Sequence, residues 1–431
     1  MNRFVCLTVF FVLIISSLFG QEEKAKKQKT IQQQDVFYAF KKPSKRDSLS
    51  KKAKQLKPYK LYIAAFPFVG YNVSFGFTGG FTFNPGIYLG PIATTPISTF
   101  AIGATFTSKK QTLVLARSSI FTKDANWLLR GDWRFYKYSQ PTYGLGSGII
   151  VNSDAQMDIN TGDIGYSISN DASAMDFNYI RFYESCYRKI KGNLYLGLGF
   201  DYDRYYKIKD KLLRLDTVPP ILTAHYEYST ERNINPEHYN STGIITSLII
   251  DSRDNSVRPT KGIFFDFEMR FNPLFMGSTK SSIRLYTELR TYLGLSKKNP
   301  AHLIAFWNIN SLKLDGHEPY LILPSAGWDT YNRTGRGYMQ GRVRGVNFIY
   351  GEAEYRFPIS PYTRILSGVV FANITTASND ANIKLFKFFD PAAGIGLRIM
   401  INKNSLSNLT IDYGFGANGS HGLTININET F

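Results

Sequence analysis

Cysteine is nearly missing from this 431-residue chain, which has two, Cys6 and Cys186. Cys6 lies in an N-terminal apolar segment expected to be removed, so Cys186 stands alone, and an internal disulfide or a Cys/His zinc site is excluded. No segment after the first twenty residues approaches the ~20 uninterrupted apolar residues of a membrane-crossing helix. The five histidines, at 225, 238, 302, 317 and 421, show no HExxH or paired metal-ligand spacing. Asp315, His317 and Glu318 crowd together, as three ligand-type residues often do by chance, and no metal site is expected there. P-loop, GxSxG and strand-to-helix GxGxxG motifs are likewise missing. These gaps point to a protein that is not an enzyme, with no cofactor and no metal.

Residues 1–20 begin with Arg3, continue through FVCLTVFFVLIISSLF and end at Gly20. Such a segment predicts a secretory signal peptide cleaved near Gly20. Between Gln21 and Lys60 there are thirteen Lys/Arg and four Asp/Glu, so a surplus of nine, half the formal charge of +18, sits in forty residues. Residues 21–58 are expected to form a disordered basic tail facing the periplasm. It would be a solvated linker, or a contact for anionic lipid headgroups or an acidic periplasmic partner. A secreted chain would not ordinarily meet nucleic acid, so none is expected as a partner.

From about Phe68 onward the chain alternates. In GIFFDFEMRF (262–271), Ile263, Phe265, Phe267, Met269 and Phe271 share one face, and Asp266, Glu268 and Arg270 the other. The same split recurs with Leu194, Leu196, Leu198 and Phe200 against Asp201, and with Ile283, Leu285, Leu289 and Leu293 against Arg284, Glu288 and Arg290. A period of two with charge on one face and large apolar groups on the other marks a strand between two different solvents. Strands are predicted at about 68–84, 98–107, 111–121, 127–137, 142–151, 177–189, 193–206, 242–253, 262–272, 282–295, 301–312, 349–358, 364–375, 392–402, 407–415 and 422–431. Short connections (108, 138, 191, 296, 402) are assigned to one side, and long ones (85–97, 152–176, 207–241, 313–348, 376–391) to the other. Short turns opposite long loops, with an even strand count, predict an all-β fold: a 16-stranded antiparallel transmembrane β-barrel over 59–431. The 28 Tyr and 33 Phe are enough for interfacial girdles.

Two stretches carry a resemblance. DSRDNSVRPTKG (251–262), with Asp251, Arg253, Asp254, Pro259 and Gly262, resembles the inter-strand turn of the BamA/TamA family of outer-membrane assembly and translocation barrels, the bacterial surface antigens. GRGYMQGRVRG (335–345) places Arg336-Gly337-Tyr338 where that family carries an arginine-glycine-aromatic signature in its sixth extracellular loop, which folds into the lumen. The resemblance implies that Arg336, Gly337 and Tyr338 anchor this loop, with Glu354 as the arginine's carboxylate and with Arg344, Glu352 and Asn373 in support. Asn373 stands where many members have aspartate, in Phe371-Ala372-Asn373-Ile374-Thr375, so Glu354 is expected to bear more of the charge. Family members usually carry periplasmic domains of about 75 residues, and none is expected in the short polar segment between the signal and the barrel. Phe431 ends an alternating strand, as in clients of the outer-membrane assembly machinery, and is expected to serve as an assembly signal. The implied function is insertion or translocation of outer-membrane proteins or lipids in a Gram-negative outer membrane. Nascent outer-membrane proteins and outer-membrane lipids would be its partners. A passive pore or a structural barrel supporting a surface complex is the alternative.

Overall fold

The computed structural model describes residues 57–72, 76–148, 173–256, 258–296, 299–360, 365–402, 407–427 and 429–431. The expected signal peptide and nearly all of the basic tail lie outside the described residues. The described residues are all-β: among them is one antiparallel sheet with a single short helix, α1 (Ala224–Glu231), and a few 3-10 turns. The strands are β1 (Leu61–Asn72), β2 (Gly76–Ile87), β3 (Ser98–Thr107), β4 (Thr112–Phe121), β5 (Trp127–Thr142), β6 (Ser173–Lys191), β7 (Leu194–Asp210) and β8 (His238–Asp251). They continue as β9 (Gly262–Asn272), β10 (Ser282–Gly294), β11 (Leu303–Gly316), β12 (Phe348–Pro358), β13 (Leu366–Ala377), β14 (Asp390–Asn402), β15 (Ser407–Gly416) and β16 (His421–Ile427). Each pairs with the next, and β16 meets β1 at Asn72↔Thr424, so the order of neighbours returns to its start.

Alternation sorts the side chains as the sequence predicts. On β7, Leu196, Leu198 and Phe200 point outward, Leu198 being 65% exposed, whereas Asp201, Asp203 and Tyr205 are buried inside. On β9, Asp266 and Glu268 are buried while Phe265 and Phe267, which alternate with them, are not. The interior also takes apolar residues towards the short-turn end, where Leu128, Tyr187, Tyr195, Ile249 and Phe264 cluster.

The sheet departs from the predicted strands in three places. The predicted strand at 68–84 is a hairpin, β1 and β2 joined through twelve Cα pairs. The sequence alternation through Val69, Tyr71, Val73, Phe75 and Phe77 runs on without a break, which hides the reversal that Gly76, at φ +68, helps to make. The predicted strand at 142–151 does not form over its described part. SQPT, read as a turn, lies inside β5, with Pro141 opposite Ala174, and positive φ at Gly144, Gly146 and Gly148 breaks the chain beyond Tyr143. These two departures change sides for three connections. The segments 88–97 and 122–126 join the short-turn side, and 108–111 joins the side carrying the long loops 143–172, 211–237 and 317–347. The third departure is at the last strand. β16 stops at Ile427, and Phe431 turns inside, its ring stacked 5.1 Å from Trp307 and its carbonyl accepting from Arg356 Nη2 at 3.0 Å. Aromatic stacking and a buried guanidinium hold it there, so it does not continue the outward face of Leu423 and Ile425.

Candidate functional site: an arginine clasp inside the sheet

The connection 317–347 starts after β11, turns through Tyr320–Ile322 and returns along GRGYMQGRVRG to β12. Its residues are unusually buried for a loop, with Arg336, Tyr338, Met339, Gln340, Arg342, Val343 and Arg344 all below a tenth exposed. Buried guanidinium groups need partners, because an isolated charge out of water is very costly.

Arg336 finds three carboxylates. Its Nη2 donates to Glu352 and Glu354 on β12, and its Nη1 donates to Asp412 Oδ2 on β15 at 3.1 Å. The guanidinium also lies 3.6 Å from the Phe371 ring centroid, and Asn373 Nδ2 donates to the Arg336 carbonyl at 3.0 Å. Burial works against the charge, yet Glu352, Glu354 and Asp412 together hold the guanidinium pKa well above its ordinary value. Gly337, at φ +99, lets the loop backbone press on β15: a Cβ at Gly414 would fall 2.7 Å from Gly337 N. Tyr338 completes the contact, donating to Pro391 O at 2.6 Å and accepting from Ala417 N at 2.8 Å.

Of the residues singled out in the sequence, Arg336, Gly337, Tyr338, Glu352, Glu354 and Asn373 therefore come together. Arg344 does not join them. It is buried within its own loop, where Nη1 donates to the carbonyls of Tyr320, Leu321 and Leu323 at 3.0–3.2 Å and so ties the loop's two arms. Sequence reasoning missed Asp412, whose one signal is an acidic residue on the inward face of TIDYGFG. It supplies the charge that Asn373 lacks.

The turn motif is braced internally. Arg253 donates to both oxygens of Asp251 at 2.9 and 2.8 Å, and Asp254 accepts from Thr260 N and Oγ1 at 2.9 and 2.6 Å. Pro259 is buried and Gly262 takes φ +103. From this turn a chain of charges leads to the loop. Arg258 lies 3.8 Å from Glu429; Arg398 bridges Glu429 at 2.9 Å and Asp412 at 2.5 Å; Asp412 reaches Arg336. Arg356 adds a contact to Glu354. Four arginines (258, 336, 356, 398) thus face four carboxylates (352, 354, 412, 429) in one network of zero net formal charge. Glu429, pulled down to about 2 by Arg356, Arg398 and Arg258 against the opposing effect of burial, is its second hub.

The same loop also touches the opposite wall. Trp328 packs against Tyr138, Phe177, Tyr179 and Tyr205 of β5–β7 at 5.7–6.5 Å. Arg134 donates to the Thr330 carbonyl at 3.0 Å, and Tyr331 lies under Arg117 and Arg290. One connection therefore joins β4–β7, β10, β12 and β15.

The model of the Omp85 superfamily domain matches residues 98–431. The chain belongs to the Omp85 superfamily. Among solved structures it is similar to BamA from Haemophilus ducreyi lacking POTRA domains 1–3, at 14% identity and TM-score 0.54, over 85% of this chain and 70% of that one. It is also similar to CdiB from Acinetobacter baumannii, at 13% identity and TM-score 0.50, over 85% of this chain and 59% of that one. For CdiB from Escherichia coli the figures are 9%, 0.51, 86% and 63%. The chain thus spans less than two thirds of either CdiB, and at these identities the likeness is one of fold. No curated protein sequence matches it. As an Omp85 member this is an outer-membrane β-barrel protein, not an enzyme.

Proposed function

We propose that this Omp85 protein is a closed sixteen-stranded transmembrane barrel whose sixth extracellular loop, 317–347, is held in the lumen by Arg336. Its role would be to insert or translocate outer-membrane proteins or lipids. One observation carries this reading. β1 is bound to β2 through twelve Cα pairs but to β16 through one among the described residues, Asn72↔Thr424, while residues 429–431 turn away from β1. A strand with unpaired backbone groups is a template for another strand. Such a seam lets an incoming strand or lipid leave sideways without nucleotide or cofactor. In this reading residues 1–20 are a removed signal peptide and residues 21–58 a basic periplasmic tail able to bind a partner. The Asp251–Gly262 turn is a rigid periplasmic brace.

Depletion of the protein tests this directly. The expected result is a changed content of outer-membrane proteins or lipids, and an unchanged membrane would refute it. The alternative is a passive pore or a structural barrel supporting a surface complex. A steady conductance from the unmodified protein in planar bilayers would favour the pore, which the contacts of Trp328, Tyr331 and Arg336 across the interior argue against.

A further inference from the structure

The outer wall of the barrel carries an ionisable group where lipid is expected. On the outward face of β5 and β6, Trp127 pairs with Arg188, whose guanidinium lies 5.1 Å over the Trp127 ring, an interfacial arrangement. Ten residues further along β6, Asn178 pairs with the exposed Lys137. Ten residues at ~3.4 Å rise and a tilt of about 40° span about 26 Å, the height of an apolar band. Between these limits the face shows Phe135, Phe182, Leu198 and Phe200, all exposed. It also shows Glu184, four residues from Arg188 and therefore about 10 Å inside the band by the same arithmetic.

Glu184 sits in a notch. Gly131 is its direct partner on β5, and Ser118 follows on β4. A Cβ at Gly131 would fall 2.6 Å from Glu184 Oε2 and 2.7 Å from Ser118 Oγ, so the missing side chain makes the recess. Trp133, stacked on Phe182 at 6.0 Å, walls one side. Its indole N–H leans toward the carboxylate, yet neither Trp133 Nε1 nor Glu184 Oε2 completes a well-formed hydrogen bond. Both of these atoms are covered in the notch, but Glu184 as a whole is part-exposed, acyl chains cannot satisfy its carboxylate, and ionisable residues at membrane depth ordinarily face a protein interior or an aqueous cavity.

We propose that the outer wall of β4–β7 is the docking face for a different membrane-embedded envelope protein, which places a lysine or arginine against Glu184. Charge decides the partner's chemistry. A second copy of this chain, related by a two-fold axis along the membrane normal, would bring equal depths together and set Glu184 against Glu184. The inference goes beyond the insertion reading and rests only on this wall meeting lipid.

A photoreactive amino acid at Leu198, on the notch rim, and another at Ile395, on the distant β14 wall, test it in intact cells, with adducts identified by mass spectrometry. The expected result is one protein adduct from Leu198 and lipid adducts alone from Ile395. In Glu184→Gln, with folding checked by heat-modifiable electrophoretic mobility, the adduct should fall by about threefold to twentyfold, the worth of a polar contact made in lipid. Glu184→Lys should restore it when the partner's basic residue is changed to Glu. Adducts at Leu198 that are only lipid, only another copy of this chain, or insensitive to Glu184→Gln would overturn the proposal, as would no adduct at all. Lipid labelling at Ile395 separately reports whether the barrel wall faces the bilayer.

Discussion

Replacing Arg336 with alanine tests the clasp most directly. The substitution removes one of four cations from a network balanced against four carboxylates, leaving a net charge of −1 among groups that are nearly all buried. The stranded member is Glu352, whose other partner is the neutral Tyr350 hydroxyl, because Glu354 keeps Arg356 and Asp412 keeps Arg398. Breaking a buried pair on one side costs about 3–5 kcal/mol. The strands themselves are held by ladders that Arg336 does not join. The cost therefore falls on the loop's attachment, and the loop's release equilibrium should shift by about two to four powers of ten.

Planar-bilayer conductance and protease access to residues 329–343 measure that release. Arg336→Ala should open a conductance that the unmodified barrel lacks and expose the loop to cleavage. Arg336→Lys keeps the charge but not the planar fork, and should lie between the two, losing about 1.5–3 kcal/mol of charged hydrogen bonding. The double change Arg336→Ala with Glu352→Gln should recover part of the loss, since no carboxylate is then stranded. If Arg336→Ala stays closed and its loop stays protected, the clasp does not hold the loop.

Three further outcomes are expected. Trp328→Ala should loosen the loop at the β5–β7 wall by less than the ~3–5 kcal/mol of a fully buried aromatic, because the indole is half-buried; hydrogen exchange of residues 325–334 reads this out. Cysteines at Asn72 and Thr424, in a Cys186→Ser background, should cross-link under oxidant and stop the proposed insertion until reductant is added, and activity unaffected by the cross-link would argue against lateral exit. Asp380 joins Arg232 of the β7–β8 loop to Lys313 at the end of β11, at 2.8 and 3.0 Å; burial pushes its pKa up, but these two hydrogen bonds hold it below the ordinary value. A depressed carboxyl contributes stability above its unfolded pKa of about 3.9 and loses it as pH falls through the folded value. Protection of residues 379–386 from exchange, measured against the intrinsic rate at each pH, should therefore be high at neutral pH and fall below about pH 4, and Asp380→Asn should abolish the difference.

The strand set from β6 to β15 is legible in the sequence because an inward charge and an outward aliphatic residue alternate within each strand. Where that signal passes unbroken through a reversal, as from Val69 to Phe77, one strand is read for two. Where proline sits in a strand that rises beyond its neighbours, as at Pro141, a turn is read in its place. Arg336 and Glu354 are visible together because glycines flank the one and strand parity fixes the other. Asp412 and Glu429 carry no such local mark, and nothing near Trp328 announces an aromatic wall more than a hundred residues earlier.

Period and composition by themselves determined that this chain is a sheet with a greasy outside and a charged inside, since side-chain direction in a strand follows from backbone geometry alone. Which inward charges meet was decided only by the curvature and register of the assembled sheet. That is why a loop arginine, a strand aspartate 76 residues further on and a glutamate beyond the last strand share one neutral cluster: neutrality under burial is a property of the enclosed volume, and no stretch of sequence contains that volume.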